Sequence, residues 1–183
     1  MKKIISILTV IGAINTVNAA AVGWTSGSML LPDGESYATG VKAYLFDASV
    51  VSASVLEASI LDGTFLTGGN AVKALKEVTT TGTATVGSAV SSFEKVPPYG
   101  EVAVTLYMVV FDTNSFDTAD WYKISSPITQ TLVDGFTTTF PFGATIPSPG
   151  TPINNIAWQQ IPEPATMALL GIGVVAFGLR RRK

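Results

Sequence analysis

The sequence predicts a mainly β fold, a β-sandwich or jelly-roll-like domain with one or two short helices, flanked by an apolar helix at each end of the chain. Three observations carry this. In the run Val102–Phe111, Val102, Val104, Leu106, Met108 and Val110 fall on one face, and Ala103, Thr105, Tyr107, Val109 and Phe111 on the other. Apolar side chains on both faces mark a central strand covered on both sides, or one inside a tight sandwich. The remaining apolar runs of the body are short and rich in β-branched and aromatic residues, which suit strands. Finally, the 47% hydrophobic content is not spread evenly, because its surplus sits at the two ends.

Taken in order, Met1-Lys2-Lys3 precedes an apolar stretch Ile4–Ile14 and then Asn15-Thr16-Val17-Asn18-Ala19-Ala20-Ala21. A charged start, an apolar core and a small-residue site define a secretory signal peptide, here the signal helix of residues 1–19. Val17 and Ala19 occupy the two small-residue positions, so cleavage is expected between Ala19 and Ala20, with a cut after Ala21 as the alternative. Short strands are predicted over Val22–Ser26 and Val41–Phe46, separated by a turn at Leu31-Pro32-Asp33-Gly34. Ser54 and Glu57 have capping-box spacing, which predicts a helix through Leu61 that stops at Gly63. Asn70 is placed to cap a second helix over Ala71–Glu77, with Lys73 and Glu77 four apart. Val78–Ala89, mostly Thr, Val and Gly, fits an exposed or edge strand. Residues 102–125 form a predicted hairpin, broken at Asp112-Thr113-Asn114-Ser115 and resuming at Trp121-Tyr122-Lys123-Ile124. Gly135–Phe140 is a further strand. The β-rich domain is thus expected over residues 20–142, long enough to bury a core without staples. Pro141–Ile161 holds four prolines and no charge, and residues 143–161 read as a Pro-rich extended linker.

The chain has no cysteine and no histidine. No disulfide framework can form, and thiolate nucleophiles, imidazole bases and the usual zinc ligands are missing. Between Ala20 and Ile161 there are five lysines, no arginine and twelve acids, a balance of 5 − 12 = −7. An acidic body lacks the clustered Lys and Arg that phosphates require, which argues against nucleic acid. Gly68-Gly69-Asn70 lacks the lysine and spacing of a phosphate-binding loop. Asp112, Asn114, Asp117 and Asp120 gather oxygen ligands that calcium favours. Phe116, Asp117 and Lys123 nevertheless occupy the fifth, sixth and twelfth positions, where an EF-hand needs an acid or amide, a glycine and a glutamate. A solvated hairpin loop is the favoured reading, with no metal. Twelve acids guarantee carboxylate pairs somewhere, so pairs alone do not indicate glycoside hydrolysis. The expectation is a protein without cofactor or catalytic residues. Trp24, Trp121, Tyr122 and Trp158 raise a binding alternative, because exposed aromatics stack on sugar faces. Against it, Trp121 and Tyr122 point to opposite faces of one strand, so one of them fills core.

The C-terminal apolar run, Ala165–Leu179, is fifteen residues without a charge. As a helix it covers roughly 22 Å against a hydrocarbon core of about 30 Å, a marginal transmembrane helix. Arg180, Arg181, Arg182 and Lys183 would hold the end cytoplasmic and the body on the far side. Before it, Pro162 and Pro164 fix their own φ and push Ile161 and Glu163 toward extended backbone, the shape a processing enzyme needs. Pro162-Glu163-Pro164, a short Gly/Ala/Leu helix and a terminal basic cluster, in that order, resemble the PEP-CTERM sorting signal of bacterial surface proteins. The resemblance covers residues 162–183 and, with the signal peptide, is specific. It implies recognition of Pro162, Glu163 and Pro164 by an exosortase, a membrane-embedded cysteine transpeptidase that cleaves nearby. It also implies the secretion machinery, a transient membrane anchor, a Gram-negative-type envelope, and export toward the cell surface or an exopolysaccharide matrix. The expected function is therefore an exported, non-enzymatic surface or matrix protein. The alternative is a secreted carbohydrate-binding module carrying the same tail.

Overall fold

A computed structural model describes residues 20–26, 28–66, 72, 74–79, 90–93, 100–143 and 150–163. The signal helix, the expected transmembrane helix and residues 80–89 lie outside the described residues. Among the described residues no helix is long and apolar enough to cross a membrane.

The fold is mainly β, with two sheets and one short helix among the described residues. Its spine is β5 (Glu101–Phe111), the predicted two-faced strand. On one edge β5 pairs antiparallel with β2 (Lys42–Asp47), and β2 in turn pairs with β3 (Lys76–Thr79). On its other edge β5 pairs with β6 (Trp121–Ile124) and then β7 (Ile128–Val133). The register slips between them, where Pro127 cannot donate to a ladder. Ser125 bridges the break: its N–H donates to Met108 O at 2.8 Å, and its Oγ accepts from Met108 N at 2.9 Å. In the smaller sheet β1 (Ala20–Thr25) lies between β4 (Val90–Phe93), antiparallel, and β8 (Thr137–Pro141), parallel.

The alternation in β5 separates two cores. Val104, Leu106, Met108 and Val110 face the smaller sheet and pack with Ala43, Leu45, Val22, Trp24 and Phe140. Val109 and Phe111 face the other way, onto Tyr44, Phe46, Tyr122, Phe65 and the helix α1 (Ala53–Leu61). The helix contributes Leu56 and Ile60, both fully buried. It starts two residues before the predicted capping box, because Ser52 rather than Ser54 accepts the Val55 N–H at 3.3 Å. It ends as expected at Gly63, whose φ of 75° is open to glycine.

The second predicted helix is corrected. Lys76 and Glu77 belong to β3, because β2 has a free edge opposite β5. Leu75 N donates to Leu45 O at 2.7 Å, and Lys42 meets Glu77 at 3.5 Å across the pair. A continuous ladder plus that cross-strand ion pair outweighs the weak local helix signal. Among the described residues β3 is an edge strand, and Val78–Thr79, the described start of the predicted Val78–Ala89 strand, belong to it. The turn at Leu31–Gly34 forms as predicted: Gly34 N donates to Leu31 O at 3.0 Å. Asp33 Oδ1 accepts from Glu35 N at 2.9 Å and Ser36 N at 3.0 Å, holding its carboxyl below the usual carboxylate range.

Candidate functional site

Of the predicted site residues that the structure describes, Pro162 and Glu163 lie at the end of a strap formed by residues 150–163, and Ala20 lies in β1. Residues 150–161, part of the stretch expected as an extended linker over 143–161, pack onto the domain. The strap begins at Gly150, with φ 101°, where an added Cβ would sit 3.0 Å from that of Ser126. A single 3-10 turn, Ile153–Asn155, follows. Ile153 is fully buried in the core between the sheets, and its N–H donates to Phe142 O at 2.8 Å. Asn154 Nδ2 donates to Ser28 O. Trp158 packs against the same core and donates through Nε1 to Leu30 O at 2.9 Å.

Lys123 of β6 ties this strap from below. Its Nζ lies 3.4 Å from Ile153 O, 3.5 Å from Asn154 O and 4.8 Å from the centre of the Trp158 ring. Carbonyls of the 3-10 turn and the negative face of the indole thus receive the charge. Burial lowers the Lys123 pKa below the usual ammonium range.

Beyond Trp158, β9 (Gln159–Gln160) adds antiparallel to β6, Gln160 opposite Trp121 and Gln159 opposite Tyr122. Ile161 N donates to Asp120 O at 2.8 Å, and its half-buried side chain packs on the aromatic core beneath α1. Pro162 has no N–H, so the ladder stops there. Pro162 and Glu163 are exposed. The structure thus brings two of the three predicted motif residues to the surface immediately after a sheet edge. Pro164, Ala19 and the Arg180, Arg181, Arg182, Lys183 cluster lie outside the described residues. Ala20 is the first residue of β1 and is fully buried.

Ile161 and Pro162 also wall a cleft of about 490 Å³, completed by the last turn of α1 (Ile60–Gly63) and by Phe116 and Asp117. Its ionisable lining residues are Asp62 and Asp117. Nearby, Asp112 closes the β5–β6 hairpin: its Oδ1 accepts from Asp120 N at 3.1 Å and Trp121 N at 3.2 Å. Burial raises the Asp112 pKa against the lowering effect of those bonds. Among the described residues no group of three or more Asp, Glu, His or Cys is placed to hold a metal ion.

None of the three tryptophans is exposed. Trp24 is buried in the core, while Trp121 and Trp158 are half-buried. Tyr122 is buried and donates to Glu57 Oε1 at 3.4 Å. Sequence reasoning missed Ile153, Lys123 and Asp120, the residues that fix the strap. Ile153, Trp158 and Ile161, three large apolar residues in a charge-free stretch, were the available signal.

The family model of the PEP-CTERM protein-sorting motif matches residues 160–183. The chain therefore ends in a PEP-CTERM sorting motif, which supports exosortase-dependent sorting of an exported protein. The match begins inside β9, two residues before Pro162. No curated protein and no solved structure matches the chain.

Proposed function

We propose that this chain is an exported, non-enzymatic protein of the cell surface or extracellular matrix, cut by an exosortase near Pro162-Glu163-Pro164. The observation that carries this reading is the sorting-motif match over 160–183, joined to a folded β domain that leaves Pro162 and Glu163 exposed. In this reading residues 1–19 are a signal peptide. The described part of β1 begins at Ala20, so a cut after Ala19 keeps all of it, whereas a cut after Ala21 removes its first two residues. Ala165–Leu179 acts as a transient membrane anchor, and Arg180–Lys183 as its cytoplasmic stop. The two sheets, sharing the core around Leu106 and Trp24, act as a β-sandwich with α1 as an outer layer.

The carbohydrate-binding alternative required a coplanar platform of exposed aromatics. The burial of Trp24 and Tyr122 and the engagement of Trp158 by Lys123 and Leu30 O remove most of its support. The decisive experiment is mass spectrometry of the mature protein. Processing produces a new C-terminus between Pro162 and Ala165. Recovery of the intact Arg-Arg-Arg-Lys tail on surface-exposed protein overturns the reading.

A further inference from the structure

We propose that β9 and Ile161 form a clasp that opens before the tail is cut, so that the folded domain governs access to its own sorting motif. This rests on the processing reading above. Its first support is position. The matched motif starts at Gln160, yet Gln160 is paired with Trp121 and Ile161 N is bonded to Asp120 O at 2.8 Å. A protein that takes up an extended peptide uses the free edges of its backbone. Between Gln159 and Ile161 one edge is already held by β6.

The second support is reach. While the clasp is closed, three residues of sequence, Pro162–Pro164, separate Ile161 from the apolar run, at most about 10 Å at ~3.3 Å per residue. Released from Gln159, the tether lengthens to at most about 20 Å by the same measure. A membrane-embedded enzyme facing a folded domain on the shorter tether has the domain's own bulk against it. Opening adds about 10 Å of approach at ~3.3 Å per residue.

The third support is that the strap is unequally held. Gln159 and Gln160 are exposed, and Ile161 is half-buried beside the cleft. Ile153, by contrast, is fully buried and locked by Phe142 O, Lys123 and the neighbouring Asn154 contact to Ser28. Segments with few buried apolar contacts open locally while the rest of the fold stays intact. Residues 159–161 can therefore peel from β6 without withdrawing Ile153.

A disulfide staple tests this directly, because the chain has no cysteine to compete. Trp121 and Gln160 face each other between bonded neighbours, as a non-hydrogen-bonded antiparallel pair. Such pairs have Cα atoms about 4.5 Å apart, inside the disulfide range of roughly 4.4–6.8 Å. The full-length Trp121→Cys/Gln160→Cys variant is compared, oxidised and reduced, for exosortase processing. The oxidised form is expected to be cut at least ~10-fold more slowly, with reduction restoring the rate, the contrast required if a locked clasp bars the enzyme. Equal processing of the oxidised and reduced forms overturns the clasp. Failure of the wild-type chain to be processed at all overturns the sorting reading instead. Hydrogen exchange on the intact chain gives an independent check. The Ile161 amide is expected to exchange at least ~10-fold faster than the Ile153 amide, and equal protection overturns the clasp irrespective of processing.

Discussion

The two cores on opposite faces of β5 are built from different side chains, and the difference follows from what covers each face. Between the sheets the filling is largely aliphatic, with Val104, Leu106, Met108, Val110, Leu45 and Leu132 beside Trp24 and Phe140. Two sheets offer regularly spaced side chains from both sides, so medium-sized residues interdigitate. The opposite face is covered by the nine-residue helix α1, which brings only Leu56 and Ile60 as large buried residues. Aromatic bulk fills the remainder. Phe65 lies 5.3 Å from Tyr44, 5.6 Å from Phe46, 5.1 Å from Phe111 and 5.2 Å from Phe116, centre to centre. The first three contacts are edge-to-face, the geometry that the ring quadrupoles favour. A short helix closes this face incompletely, and the open remainder is the cleft beside which Ile161 and Pro162 leave the domain.

The largest expected effect breaks the aromatic side. Phe65→Ala removes the ring at the centre of four others and is expected to cost about 3–5 kcal/mol in urea unfolding. A loss below about 1 kcal/mol, the size of an ordinary surface substitution, would mean that the face is not organised around Phe65. Leu106→Ala, at a fully buried position of the other core, is expected to cost about 2–5 kcal/mol. Phe65→Ala should also loosen the clasp, because Ile161 shares its core. Leu106→Ala should leave Ile161 exchange unchanged and instead speed exchange at Ile153, which shares its core. Each core is thereby tied to one end of the strap.

Next in size is the strap itself, which touches both cores. Ile153→Ala is expected to destabilise by about 2–5 kcal/mol, since the site is fully buried. Ile161→Ala removes half-buried surface and is expected to cost about 1 kcal/mol. Equal losses at the two positions would erase the distinction between a fixed anchor and a yielding clasp.

How far the sequence discloses this arrangement depends on whether side chains or backbone carry the information. The two-faced pattern of Val102–Phe111 predicts a doubly covered strand; this holds from Met108 to Phe111, where it separates the cores, while Ala103 on the outer face is exposed. Gly63 marks the end of α1 because a positive φ selects glycine. β7 escapes detection because the bulge at Ser125–Pro127 resembles the end of a hairpin, while Ser125 Oγ silently replaces a backbone acceptor. β3 is hidden because Lys73 and Glu77 also have helical spacing, and only the free edge of β2 decides the matter. At the strap, the prolines at 147, 149 and 152 suggest an unattached segment, yet Pro152 restricts conformation without forbidding packing. Of the candidate site, Pro162 and Glu163 are legible from their chemistry. The Asp120 carbonyl that holds Ile161 is not, since any residue supplies one.

The smallest expected effect concerns alkaline pH, and it separates the cores by their titrating groups. Tyr44 and Tyr122 both belong to the aromatic core, and each phenol is pushed up to about 12, first by burial. Nearby acids add to this: Glu77 and then Asp117 for Tyr44, and Glu57 for Tyr122. A folded pKa above the unfolded value of 10.0 means that the stabilisation is complete below pH 10 and is lost as pH rises toward 12. Lys123 behaves oppositely. Its pKa is lowered from 10.5 by burial, so the native state binds fewer protons there, and stability rises as the solution approaches pH 10.5. The tyrosine contribution to stability therefore falls above pH 10, whereas the Lys123 contribution rises up to pH 10.5. Stability measured against pH for the wild type and Tyr122→Phe tests the first half, with the variant showing a shallower decline above pH 10. Lys123→Met tests the second half by abolishing the rise below pH 10.5. If a Tyr44→Phe/Tyr122→Phe double variant declines as steeply as the wild type, the alkaline weakness originates outside the aromatic core, and the titration contrast between the two faces fails.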